Sequence, residues 1–296
     1  MSKLLYRRFT GPSWQDATEI RGARGQWLEK RLALFETLRS RGHQVETIKQ
    51  KPGDSTYKEG DRLTWDDGDI ILLEFASINE KFHERYLDVT RAMLRDRAKD
   101  TILIMDDPDL FPKKDPFIYK SVWVNAEDPE ACAARFGQPC ETFPVYGLQK
   151  QQDYSENHNG KAVYYGGSSC SRGRKAAALK VQLEDKLDIY GAQKEYKEMT
   201  VLEPPKQVDR KNFYRQYGVC VNLTDNFHKQ MKWNTGRKFH SILAGTPTVD
   251  ESPFMEQEIR DILSNPQYRR EVWERQRLMV TDAKSRCEAL LSSYGL

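Results

Sequence analysis

The sequence predicts an α/β protein of two lobes, each a parallel sheet covered by helices, with a cleft between them. Three observations carry this. Short apolar runs alternate with amphipathic helices twice along the chain. A polar stretch, residues 147–160, separates the two series. The length of 296 residues is about twice that of a usual single domain.

In the first series, residues 4–9 read as a strand. Residues 25–40 read as a helix, with Trp27, Leu28, Leu32, Phe35 and Leu38 at helical spacing and Gly42 just past the end. Residues 43–48 return as a strand. Asp69 to Phe75 (DIILLEF) is a buried strand, followed by a helix over about 80–97. Thr101 to Met105 (TILIM) is another and stops at Asp106-Asp107-Pro108-Asp109. Strands at 121–125 and 142–145 flank a helix near 127–136. Strands apolar on both sides belong in a parallel sheet buried on both faces.

The second series opens with a strand at 162–165, a small-residue loop at 166–173 and a helix at 174–185. Further strands are expected at 187–190, 218–223 and 247–250, with a helix near 236–244 before the last. From Met255 onward the chain reads as helical and rich in Arg and Glu. This makes two Rossmann-like lobes, residues 1–150 and 161–296, with ligand in the cleft at the carboxyl ends of the strands.

Composition narrows the function. The charged fraction is 31%, but the signs nearly cancel to a net charge of +3, which excludes an acidic disordered chain and does not by itself announce a nucleic-acid binder. Five scattered cysteines form no Cys-x-x-Cys pair, so neither a disulfide framework nor a zinc knuckle is indicated. No run approaches ~18 apolar residues. A soluble, cytoplasmic monomer with reduced thiols is the expectation.

Three segments carry chemistry. The first is VYYGGSSCSRGR at 163–174. Gly166 and Gly167 allow close backbone approach and positive φ. Ser168, Ser169 and Ser171 offer hydroxyls, while Arg172 or Arg174 at a helix start can pair with phosphate oxygens. It is neither a GxGxxG fingerprint nor a Walker A loop; an ordinary strand-to-helix turn with solvated arginines is the plainer alternative. The second is NTGRKFHSILAGTPTV at 234–249. Arg237 and His240 lie three apart on a first helical turn and so share a face, expected to look into the cleft. Arg237 suits a diphosphate and His240 a ribose or base, although a lone histidine is more often structural. The third is the acidic turn. Its carboxylates suit a general base on an acceptor hydroxyl, or Asp106 and Asp109 a divalent cation such as Mg or Mn; a Pro-containing turn with Asp as cap is the alternative.

These blocks, with their spacing, LDIYG at 187–191 and the helical tail, resemble the DNA β-glucosyltransferase family of T-even phages. The resemblance covers about half the chain well. In the first lobe TILIMDDPDLFP is similar to the segment holding the family's catalytic base, and Asp107 occupies that place. The resemblance implies the GT-B type of two-lobed fold, a UDP-sugar donor and inversion by direct displacement. It also implies an acceptor hydroxymethylated pyrimidine, such as 5-hydroxymethylcytosine, in double-stranded phage DNA. By position Ser168, Arg172 or Arg174, and Arg237 would grip the donor diphosphate, and no metal is then required. The chain departs from the family at His240, where the family has an acidic residue.

For DNA, Arg7, Arg8, Arg21, Arg24, Lys113 and Lys114 fall where they can ring a cleft mouth and hold phosphates. Solvated charge explains any one of them equally well. Two alternatives stand beside a DNA-base glycosyltransferase: the same fold acting on a carbohydrate, lipid-linked or small-molecule acceptor, and a non-catalytic DNA or nucleotide-sugar binding module.

Overall fold

A computed structural model describes residues 2–7, 25–47, 68–74, 94–105, 116–166, 170–191, 202 and 210–296. Among them the strands form two sheets, both parallel. The first is built from β1 (Lys3–Arg7), β2 (Gln44–Thr47), β3 (Ile70–Glu74), β4 (Thr101–Met105), β5 (Ser121–Val124) and β6 (Cys140–Thr142), in the order β2-β1-β3-β4-β5-β6. The second holds β7 (Ala162–Tyr165), β8 (Leu187–Tyr190), β9 (Val219–Asn222) and β10 (Thr248–Asp250), in the order β10-β9-β7-β8.

The uninterrupted apolar runs are explained by burial on both sides of the first sheet. Ile70, Leu72, Ile102 and Ile104 face one core, with Leu34, Phe35 and Leu38 of α1 (Gly25–Ser40). Ile71, Leu73, Leu103 and Met105 face another, with Cys132 and Phe136 of α2 (Pro129–Phe136). Helix α1 has the expected span, but Leu32 is 44% exposed and lies off its buried face. Asp128 caps α2 by accepting from the Ala131 N–H, and Pro129 opens it. Of the helix expected over 80–97, only residues 94–97 are described.

Two boundaries are corrected. The strand expected at 142–145 is β6 at Cys140–Thr142; Pro144 has no N–H for a ladder, and Val145–Leu148 turns into a 3-10 helix. The loop expected over 166–173 is shorter, because α3 (Cys170–Leu183) begins four residues before Arg174. Gly173 is buried inside that helix, and the alanine-rich run after it outweighs a glycine penalty of about 1 kcal/mol.

The second sheet packs α3 and α7 (Met255–Ser264) on one face. On the other lie α4 (Arg210–Arg215), through Phe213 and Tyr214, and Ala244 behind α6 (Gly236–Leu243). A five-residue helix, α5 (Asn226–Gln230), follows β9. The final helix, α8 (Pro266–Ser293), is capped by the Asn265 side chain and at ~1.5 Å per residue is about 42 Å long. It starts beside the second sheet and finishes against the first, where Val280, Ala283, Cys287 and Leu291 join the cluster around Leu4. Gly147 makes this crossing possible, since a Cβ there would stand 2.5 Å from the Lys284 backbone nitrogen. No described helix is long and apolar enough to cross a membrane.

The polar stretch between the sheets has little regular structure but is pinned. Gln152 N–H donates to Leu243 O at 2.8 Å and Ser155 N–H to Gly245 O at 2.9 Å. Arg269, 1% exposed, donates to Gly218 O at 2.6 Å and Ser155 O at 2.5 Å, and its guanidinium lies 4.8 Å from the Tyr154 ring centroid. Arg269→Met keeps the stem and strands those carbonyls, so urea unfolding should show a loss of about 2–4 kcal/mol. A loss below about 0.5 kcal/mol, the range of ordinary surface changes, would show that the arginine does not hold this stretch.

Candidate functional site

The carboxyl ends of β7, β9 and β10 converge with the first turn of α6, and Arg237 joins them. Its Nε donates to Tyr165 O at 2.5 Å at the end of β7. One terminal nitrogen donates to Leu223 O at 3.1 Å and Asn222 Oδ1 at 3.3 Å at the end of β9. The guanidinium carbon stands 4.6 Å from the Tyr164 ring centroid. Bonds to two strands and stacking on a ring fix a cation that would otherwise sample many rotamers.

Gly166 is the residue that leaves it room. A Cβ there would come 2.2 Å from an Arg237 terminal nitrogen. The expectation of a positive φ is not met at Gly166; what the position demands is the absence of a side chain. Gly166→Ala should therefore move the guanidinium without removing it. If Arg237 binds the donor, the KM for a nucleotide sugar should rise about tenfold, an effect of ~1.4 kcal/mol. Unchanged KM would detach Arg237 from donor binding.

The two arginines of α3 part company. Arg172 lies in the first turn, 22% exposed, with a terminal nitrogen 3.9 Å from Asp225 Oδ2. Arg174 is exposed. Arg237 and His240 also diverge, contrary to the expectation that both look into an open cleft. His240 is 2% exposed, with Nδ1 3.9 Å from Glu29 Oε2 of α1, and its ring meets Tyr146 edge-on at 5.3 Å. It sits in the seam between the lobes.

Beside Arg237 opens a pocket of about 780 Å³, lined among others by Asn222, Thr224, His228, Lys238, Glu251 and Glu127. Its carboxylates are engaged. Asp250 accepts from Asn222 Nδ2 at 2.8 Å and Lys238 Nζ at 2.6 Å. Glu251 accepts from Lys229 at 2.8 Å and Lys175 at 3.0 Å. Burial raises the Glu251 pKa, but the two lysine hydrogen bonds outweigh it and hold the group below its ordinary value. Glu127 is likewise held down, chiefly by its hydrogen bond from Arg286. Carboxylates so stabilised as anions are weak proton acceptors.

Buried thiols are no better placed for chemistry. Burial pushes Cys132 up to about 11 and Cys220 up to about 12, so neither is a thiolate near neutral pH. Among the described residues no group of three or more His, Cys, Asp or Glu is arranged to hold a metal.

Several expected site residues fall outside the described residues: Gly167, Ser168, Ser169, Asp106, Asp107, Asp109, Arg8, Arg21, Arg24, Lys113 and Lys114. Arg7 lies on β1, and only its backbone is described. Sequence reading overlooked Asn222, Asp225, His228 and Glu251. The signal was available: all four follow or end β9 and β10, where ligands of parallel sheets bind.

No protein-family model matches the chain, and no curated protein matches it in sequence. Solved structures match in fold. An alpha-glucosyltransferase in complex with UDP and a 13-mer DNA containing a HMU base is 11% identical, with 94% of each chain covered and a TM-score of 0.54. The alpha-glucosyltransferase in complex with UDP is 10% identical, covering 97% of this chain and 96% of that one, TM-score 0.57. A sucrose-phosphate synthase from Thermosynechococcus elongatus is 10% identical, covering 99% and 98%, TM-score 0.58. The fold is the GT-B type, two Rossmann-like lobes with a cleft between them.

Proposed function

We propose that the protein is an inverting glycosyltransferase moving a sugar from a UDP-sugar to a hydroxymethylated pyrimidine, 5-hydroxymethylcytosine, in double-stranded phage DNA. The sugar is glucose or a pentose such as arabinose. The observation that carries the reading is Arg237, a cation fixed across the ends of β7 and β9 where a parallel sheet binds its ligand. Support for the donor also comes from fold neighbours that hold UDP, and for the acceptor from those that hold DNA.

In this reading residues 161–296 bind the donor and residues 1–150 the acceptor. Arg237 and Arg172 or Arg174 neutralise the diphosphate, Ser168 and Ser169 add hydroxyl hydrogen bonds, and Gly166 and Gly167 give close backbone approach. Arg7, Arg8, Arg21, Arg24, Lys113 and Lys114 hold DNA phosphates. The acceptor hydroxyl oxygen forms a bond to the anomeric carbon as the bond from that carbon to the diphosphate oxygen breaks. The hydroxyl proton goes to Asp107 and the electron pair leaves with UDP. The developing charge falls on the diphosphate, so fixed cations there lower the barrier.

The test is a transfer assay read by mass spectrometry. Purified protein is incubated with hydroxymethylcytosine-containing duplex DNA and either UDP-glucose or UDP-pentoses, and the digested nucleosides are weighed. A nucleoside heavier by one sugar is the expected result and names the donor. UDP release only with a carbohydrate or small-molecule acceptor would sink the DNA assignment and leave the fold standing.

A further inference from the structure

We propose that His228, oriented by Asp225, is a phosphate-binding residue for the nucleoside diphosphate; this rests on the donor reading above. After β9 the chain passes through Leu223-Thr224-Asp225 into α5. Asp225 Oδ1 accepts from the His228 backbone N–H at 2.9 Å and contacts the His228 Nδ1 at 2.5 Å. The second oxygen of Asp225 faces Arg172 at 3.9 Å. One carboxylate thus stands between the His228 ring and the Arg172 guanidinium.

The ring is placed for a ligand. With Nδ1 taken by Asp225, Nε2 is the nitrogen left to bind one, and no hydrogen bond to it is made among the described residues. The His228 side chain is 11% exposed and lines the 780 Å³ pocket. The neighbouring Leu223 carbonyl, two residues before Asp225, accepts from Arg237. Arg172 lies in the first turn of α3, the helix that follows β7 in the chain. His228, Arg172 and Arg237 therefore ring the ends of β7 and β9.

Burial raises the Asp225 pKa, but its hydrogen bonds from His228 and the His228 and Arg172 charges hold it low, so it stays an anion beside the imidazole. The other charged groups around His228 largely cancel. Lys229 on its own helix and Lys175 on α3 pair with Glu251, and Lys238 on α6 pairs with Asp250. An Nε2–H donated to a phosphate oxygen is the role this leaves.

His228→Gln separates ring chemistry from structure, because the backbone bond that ties residue 228 to Asp225 survives it. Calorimetry with UDP and uridine on the full chain is the experiment. The variant should bind UDP about tenfold more weakly, in the range of one charge-assisted hydrogen bond, and bind uridine as the wild type does. The wild type should take up a proton on binding UDP, and the variant should not. His228→Arg, which supplies a permanent cation, should recover most of the affinity without proton uptake. Equal UDP affinity in the wild type and both variants, with thermal melting unchanged, overturns the role of His228 alone. A wild type that binds no UDP overturns the donor reading and this role with it.

Discussion

Asp107→Asn is expected to lower kcat for sugar transfer by about 10³-fold, within the range that a positioned general base contributes. The argument runs from the sheet to the turn. β4 is a central strand of the first sheet, and Asp106 is the first residue after it. In parallel α/β sheets that end of a strand faces the ligand. The pocket acids that could compete are committed to cations: Asp250 to Lys238, Glu251 to Lys175 and Lys229, and Glu127 to Arg286. In the proposed reading the base therefore comes from the acidic turn. Binding of UDP should be unaffected, since the proposed reading sets Asp107 against the acceptor and not the donor. Asp106→Asn and Asp109→Asn should keep most activity and show that the effect belongs to one position. If all three variants transfer sugar at the wild-type rate, the base lies elsewhere.

Arg237→Ala should lower kcat/KM for the nucleotide sugar by about 10²–10³-fold, the loss expected when a fixed donor to developing charge is removed. The magnitude follows from how firmly the side chain is held. It already bonds Tyr165 O and Leu223 O, so a ligand need not pay to order it. Lysine is not an adequate substitute, because a single ammonium cannot reach both strand ends and stack on Tyr164. Arg237→Lys should therefore recover less than a tenth of the lost efficiency. Initial rates over a range of donor concentrations, with melting temperature measured in parallel, separate a binding defect from loosening of the strand ends. A variant that melts lower yet transfers normally would make Arg237 a purely structural residue.

Much of the fold was legible because burial on two faces leaves an unmistakable trace. TILIM at 101–105 has no polar face to offer solvent, and all five residues of β4 are buried. The span of α1 and its stop before Gly42 were equally plain, and Phe35 and Leu38 of the expected stripe are buried, but Leu32 is exposed. β6 was misplaced because Val145 continues an apolar run that Pro144 prevents from pairing. Within the site, Arg237 was readable from a glycine-preceded helix start. The fate of His240 was not, because its burial is decided by α1, about 200 residues away in sequence. The Asp225–His228 pair carries no periodic signature, and its place just after β9 is the signal it leaves.

The crossing of α8 and the placement of α6 have a consequence for biosynthesis. Phe239, Ile242 and Leu243 sit in the same apolar cluster as Leu4, Leu72 and Ile104, and so do Val280, Cys287 and Leu296. A ribosome releases the first sheet's strands long before it makes these partners. The nascent first half must therefore wait with one apolar face covered only in part, by α1, and open to aggregation and to chaperones, until α6 and α8 have emerged.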